Sequence, residues 1–200
     1  ELIPDAPAEA RAAIAAWEDL GPRLAAADAA GKGVPLDEVA LLSPLEATEK
    51  MMALGLNYAD HIEEAKDQGL KIPTEQVWFC KQPGALNGPF AGIELPKASQ
   101  KLDYEVELVA GIGKAGRHIR AGDAHAHVFG YAVGNDVSAR DWQMKTAQWV
   151  LGKSFDTHGT IGPAIVTADE VGDPPVLGIR SFVNGELRQN SNTKHFAFDV

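Results

Sequence analysis

Residues 103–112 read "DYEVELVAGI". Tyr104, Val106, Leu108 and Ala110 alternate with Glu105, Glu107 and Val109, the period-2 pattern of a β-strand. Glu105 and Glu107 therefore project from one face. A strand rises about 3.3 Å per residue, so their side chains are rooted roughly 7 Å apart. Two carboxylates so placed repel, and either water or a cation must offset them. Taken alone, the pair reads as the wet face of an antiparallel sheet.

Other runs extend the strand pattern. "VALL" (39–42), "VWFC" (77–80), "VFGYAVG" (128–134), "PAIVT" (163–167) and "LGIRSFV" (177–183) are bounded mostly by turn residues. "FVNGEL" predicts a hairpin, with Asn184-Gly185 suited to a type I′ turn. "SARDWQMKTAQWVL" (138–151) predicts a helix, with Ser138 as N-cap and Asp141 completing a capping box. Residues 5–30 are alanine-rich and helical in pattern. Asp5 is the expected cap, Pro7 suits the first turn, Gly21-Pro22 is the expected break and Gly31–Gly33 the end. The fold class is mainly β with helices (α+β), divided into an N-terminal helical segment, 1–47, that serves packing alone, and a catalytic domain, 48–200.

The 200 residues are 45% hydrophobic, enough for one sizeable core. A net charge of −10 argues against general binding to nucleic acid or anionic membrane. It leaves room for an anionic substrate, because a local cation reverses the field at a site. A single cysteine, Cys80, forms no internal disulfide, which fits a reducing, cytoplasmic compartment. It lies inside an apolar strand pattern, which argues against a nucleophilic role. No apolar run reaches membrane-spanning length. The chain opens on Glu1, which leaves open a targeting segment removed upstream.

A third carboxylate, Asp136, ends the apolar strand of "GYAVGNDVSARD" and precedes the expected helix. By itself it reads as a turn residue. Together with Glu105 and Glu107 it forms an all-oxygen set on two strands, which suits Mg²⁺, Mn²⁺ or Ca²⁺ better than Zn²⁺. In "GLNYADHIEEA", His61 and Glu64 are spaced i, i+3 and share a helical face. A glutamate beside a histidine fixes its tautomer and raises its basicity, making a general base. Alone, the pair reads as an exposed helix start. His125 and His127 ("HAH") have no third ligand nearby and read as surface. Arg140 and Gln143 share a face of the expected helix, and Lys153 follows it. Such donors bind a carboxylate or a developing oxyanion, or else make ordinary surface contacts.

In order, "GLNYADH", "DYEVEL", "VFGYAVGNDVSARDWQ", "LGKSFDTHGTIGPAIVT" and "VNGELRQNSNT" resemble the motifs of the fumarylacetoacetate hydrolase family across roughly residues 50–200. The likeness is greatest to its hydratase/isomerase and acylpyruvase-like branch and to the domain-containing-protein-2 type of animals. The resemblance implies a mixed β-sandwich roll, usually dimeric, so a homodimer is expected. It implies Glu105, Glu107 and Asp136 as ligands of Mg²⁺ (Mn²⁺ or Ca²⁺ in some members), and His61 and Glu64 as the catalytic dyad. Arg140, Gln143 and Lys153 then surround the substrate, with Lys153 also catalytic. Family members continue to a "TGTPxGVG"-type stretch that this sequence does not contain, so the catalytic domain is expected to be incomplete at its C-terminus.

The expected reaction is metal-dependent hydrolysis of a C–C bond in an acylpyruvate- or fumarylpyruvate-type 2,4-dioxo acid, as in aromatic compound catabolism. Oxaloacetate decarboxylation, hydration or keto–enol isomerisation on the same site is the alternative, and a metal-binding paralogue without turnover stands behind both. Residues 154–163 are expected to close over the metal side. "PTEQ" (73–76) is expected to belong to a lid near His61.

Overall fold

The strand carrying Glu107 pairs with the strand that ends in Asp136. In the computed structural model, which describes residues 3–46, 48–67, 69, 74–172 and 175–199, the quoted stretch divides in two. The elements run α1 (Ala10–Ala15), α2 (Trp17–Ala29), β1 (Met51–Gly55), α3 (Ala59–Asp67), β2 (Val77–Lys81), β3 (Leu86–Asn87), β4 (Leu102–Asp103) and β5 (Val106–Ile112). They continue with β6 (Val128–Asp136), β7 (Ser138–Ala139), α4 (Arg140–Gln143), α5 (Val150–Lys153), β8 (Gly159–Thr167), α6 (Ala168–Val171), β9 (Gly178–Val183) and β10 (Glu186–Asn192). The fold is mixed α and β, with sheets dominating after residue 50, as expected.

The central sheet has the order β3-β8-β6-β5. β6 is antiparallel to both β5 and β8, and β3 joins β8 in parallel. Glu107 lies opposite Gly134, and Val109 opposite Ala132. Gly130 explains part of the glycine pattern in "VFGYAVG". A Cβ there would stand 2.2 Å from the carbonyl oxygen of Val166, so only glycine lets β6 and β8 approach at this point. The register between those strands shifts just beyond it, between Tyr131 and Val133. β9 and β10 form the expected hairpin, with φ of 53° at Asn184 and 83° at Gly185, as a type I′ turn requires.

The quoted stretch is not one continuous strand. Leu102 and Asp103 pair with β7, while the ladder to β6 starts at Val106. Glu105 stands at the junction. Its amide donates to Oδ1 of Asn135 at 3.1 Å, and its carbonyl accepts from the Asp136 amide at 2.8 Å.

Several expectations fail for identifiable reasons. "VALL" (39–42) forms no strand, and Val39 and Leu42 are exposed. The helix expected over 138–151 breaks into α4 and α5. Ser138 belongs to a strand, and its hydroxyl donates to the Asp136 carbonyl rather than capping a helix. Asp141 accepts from the Ser99 hydroxyl and the Gln100 amide instead of closing a capping box. Trp149 turns left-handed (φ 62°) and sets its ring 5.5 Å from that of Phe79, so tertiary packing overrides helix propensity. At the N-terminus, Asp5 sits at φ 59° in a turn, and α1 begins after Glu9. The break falls at Ala16, which puts Pro22 inside α2 rather than between helices. There the proline forgoes one internal hydrogen bond. α2 ends before Gly31, which takes φ 67°. Trp17 packs edge-to-face on Phe129 at 5.0 Å, tying the helical arm to β6.

Of the lid expectation, Pro73 lies outside the described residues, and 74–76 lead into β2. Cys80 is exposed despite its apolar neighbours. His125 and His127 are half-buried rather than at the surface, and His127 donates from Nδ1 to the Lys114 carbonyl at 2.9 Å. The apolar core includes Phe79, Ala85, Tyr131, Val137 and Ile161. Beside it lie buried polar groups: Lys81, Asp136, Ser138, Gln143, Lys153 and His158.

Candidate active site

Those buried polar groups form one electrostatic centre. Asp136 ends β6, and each of its oxygens meets an ammonium. Oδ1 accepts from Lys81 Nζ at 2.6 Å, and Oδ2 accepts from Lys153 Nζ at 2.8 Å. Lys153 also donates to Oε2 of Glu105, so one ammonium bridges the end of β6 and the junction before β5. Oε1 of Glu105 accepts from Arg140 at 2.6 Å. Burial alone would push the Glu105 carboxyl up, but Lys153 and then Arg140 outweigh it and hold the group at about 2. Arg140 in turn reaches Asp103 at 2.8 Å and the Gln143 side-chain oxygen at 2.9 Å.

Glu107 is treated differently. It is half-buried and holds no hydrogen-bond or ion-pair partner among the described residues. Burial first, then the charges of Glu105 and Asp136, push its carboxyl up to about 8. The three expected carboxylates thus share one field. Among the described residues, no three acidic, histidine or cysteine side chains close on a single point as metal ligands would. Glu105 and Asp136 turn onto Lys153 instead. The donor set nevertheless fits a hard divalent cation, because Glu107 brings a carboxyl with no ion-pair partner among the described residues beside the carboxylates of Glu105 and Asp136.

Local backbone chemistry places these groups. Gly152 lets α5 cross α4, since a Cβ there would stand 2.4 Å from the Gln143 amide nitrogen and 2.6 Å from the Ala139 carbonyl oxygen. That close crossing buries Lys153 at the end of α5. The segment after it borders the centre, with His158 in the field of Lys81 and Asp136. The His158 carbonyl accepts from the Val137 amide at 3.1 Å, and its ring is fully buried.

His61 and Glu64 lie on α3, with Nδ1 and Oε2 3.4 Å apart and both side chains facing solvent. The structure brings them to each other but into no contact with the carboxylates among the described residues. The start of α3, however, borders the centre. Tyr58, three residues before His61, is pushed up by burial and then by the neighbouring charge of Glu107. The rest of "GLNYAD" clamps this helix to the end of the chain. Asn57 exchanges two hydrogen bonds with the backbone of Phe198, and Tyr58 packs edge-to-face on Phe196 at 4.9 Å. Asp60 accepts from the Ser191 hydroxyl at 2.7 Å and from His195 Nδ1 at 3.1 Å.

Sequence reasoning missed Lys81, Asp103 and Tyr58. Lys81 had a signal, as the one charge closing the apolar run "VWFCK". Asp103 and Tyr58 stood inside motifs that were read for other residues.

A cleft of about 390 Å³, lined by residues including Tyr104, Val106, Val133, Asn135 and Phe182, includes none of the carboxylates. Tyr104 and Val106 alternate with Glu105 and Glu107, so this cleft opens on the other face of the sheet.

The model of the fumarylacetoacetate (FAA) hydrolase C-terminal domain matches residues 50–200. The chain belongs to the fumarylacetoacetate hydrolase family. It is 49% identical over 167 residues to the Bos taurus oxaloacetate tautomerase FAHD2B, mitochondrial, covering 82% of this chain and 52% of that protein. Identity to the Homo sapiens oxaloacetate tautomerase FAHD2A, mitochondrial, is 47% over the same length, with the same coverage. The chain thus spans about half the length of the curated relatives it matches. Among solved structures, it resembles a 5-carboxymethyl-2-hydroxymuconate delta-isomerase from Mycobacterium smegmatis, with TM-score 0.72 and 40% identity over 84% of this chain and 64% of that one. A 2-hydroxyhepta-2,4-diene-1,7-dioate isomerase from Mycobacterium marinum gives TM-score 0.71 and 36% identity, covering 84% of this chain and 60% of that one. These family members are named for tautomerisation or isomerisation, which corresponds to the expected alternative reaction rather than to acylpyruvate hydrolysis.

Proposed function

We propose that this fumarylacetoacetate hydrolase family enzyme catalyses proton-shift chemistry on a 2-oxo acid, with oxaloacetate-type keto–enol tautomerisation as its leading reaction. The observation that carries the reading is the Lys153 ammonium, buried between Glu105 and Asp136 with Arg140 and Gln143 alongside. A buried cationic centre stabilises an enolate oxygen, and every reaction of this class passes through that charge. The names borne by the relatives at 45–49% identity favour tautomerisation within the class.

In this reading Glu105, Glu107 and Asp136 hold Mg²⁺, with Mn²⁺ or Ca²⁺ as substitutes. When bound, the cation supplies a Lewis acid for the carboxylate and 2-oxo oxygens of the substrate. Lys153 donates to the C2 oxygen as negative charge builds there. Glu64, on Nδ1 of His61, orients the ring and leaves Nε2 to accept the C3 proton. Return of a proton to the C2 oxygen completes the conversion of ketone to enol. Arg140 and Gln143 fix the rim of the site through their mutual bond and through Glu105.

The test is a side-by-side assay of the purified protein with Mg²⁺. Enol–keto interconversion of oxaloacetate is followed by the enol absorbance, and pyruvate release from oxaloacetate and from acetylpyruvate is followed separately. The expected result is accelerated interconversion that falls in His61→Ala and Lys153→Met. Cleavage of acetylpyruvate without accelerated interconversion would overturn the reading in favour of C–C hydrolysis.

A further inference from the structure

Lys81 closes β2, fifty-five residues before Asp136 in sequence, and its side chain is 1% exposed. Its ammonium makes two contacts: Oδ1 of Asp136 at 2.6 Å and the carbonyl oxygen of Val137, the next residue, at 3.1 Å. The ammonium thus grips both the carboxylate and the backbone just beyond it. Asp136 then has a single oxygen, Oδ2, directed toward Glu105 and Lys153.

Burying an ammonium is costly even when it is paired, and an apolar side chain would fill the same space more cheaply. Packing therefore does not explain this residue. We infer that Lys81 is a positioning residue of the carboxylate centre: it locks the Asp136 carboxylate in one orientation, so that Oδ2 is presented to a bound divalent cation. The inference rests on the proposed cation centre, to which it adds a residue that contacts neither cation nor substrate. Partners of this kind fix the geometry of ligating carboxylates.

A mere counter-charge would behave in the opposite way. A positive charge next to a cation site repels the cation, so removing it would tighten binding. Removing a positioning group weakens binding. The sign of the change separates the two roles.

The experiment titrates Mn²⁺ into native protein, Lys81→Met and Lys81→Arg, with no substrate, and reads free Mn²⁺ by electron paramagnetic resonance. Folding of each variant is checked by circular dichroism. Lys81→Met is expected to bind Mn²⁺ about 10-fold more weakly or worse. Binding as tight as native, or tighter, overturns the role. If Lys81→Met does not fold, Lys81→Arg decides. It keeps the charge but moves the donor atoms, so weakened binding supports positioning and unchanged binding overturns it. A native protein that binds no Mn²⁺ overturns the cation centre itself, and the role of Lys81 with it.

Discussion

The amide of Glu105 donates to the side chain of Asn135 at 3.1 Å, at the point where the β5–β6 ladder would otherwise run on. The next amide, Val106, likewise donates to a side chain, Oε1 of Gln189 at 3.0 Å. Two side-chain amides thus do the work of a neighbouring strand and free Glu105 to turn toward Lys153. Asn135→Ala should strand the Glu105 amide and lower stability by about 1–3 kcal/mol. It should also reduce turnover more than KM, because Glu105 loses its seat. Denaturant unfolding with steady-state kinetics checks both. Unchanged turnover would separate the strand junction from the site.

The crossing of α4 and α5 makes a second prediction. Gly152→Ala drives a Cβ into the Gln143 amide nitrogen and the Ala139 carbonyl, neither of which can yield easily. The overpacking should cost about 1–3 kcal/mol. Because Lys153 is the next residue, activity should fall with it. Gly122→Ala is the control, since nothing lies within 4 Å of its added Cβ. Thermal melts and rates for the two variants should diverge.

The parts of the site fixed by local pattern were legible in the sequence. Period-2 alternation put Glu107 in a strand, the apolar run of β6 put Asp136 at a strand end, and i, i+3 spacing put His61 next to Glu64. Partners brought in by pairing between distant strands were not legible. Lys81 reaches Asp136 from a strand of another sheet, and no local periodicity encodes that contact. The helix over 138–151 was misread for the same reason. Ser138 and Asp141 have capping chemistry, yet Asp136 and Ser99 claim their side chains from outside the segment.

The clamp on α3 carries a pH dependence. The Ser191 hydroxyl first, and then His195, hold the Asp60 carboxyl below its ordinary value of 3.8. A carboxylate whose folded pKa is depressed adds stability above its unfolded pKa and loses it as the pH falls through the folded value. The clamp is therefore at full strength at neutral pH and opens only below 3.8. Amide exchange at the start of α3 should stay flat across neutral and mildly acidic pH, once corrected for intrinsic rates, and accelerate at the acid end. Asp60→Asn should exchange faster at neutral pH and lose that acid step. An acid step of full size in Asp60→Asn would assign it elsewhere.

Metal removal gives the sharpest test of the carboxylate centre. Lys153, Lys81 and Arg140 pair with Glu105 and Asp136, but none pairs with Glu107. A bound divalent cation should thus relieve a repulsion that the protein's own cations leave in place. At about 100 times its Kd, a cation adds about 2.7 kcal/mol of stability, or roughly 5–10 °C in Tm for a chain of this size. Chelation should remove that increment from the native protein. In a Glu105→Gln, Glu107→Gln double variant the shift should shrink toward zero, while the chelated melting temperature falls because Lys153 and Arg140 lose their carboxylate partner. An undiminished chelation shift in the double variant would place the cation away from these two glutamates.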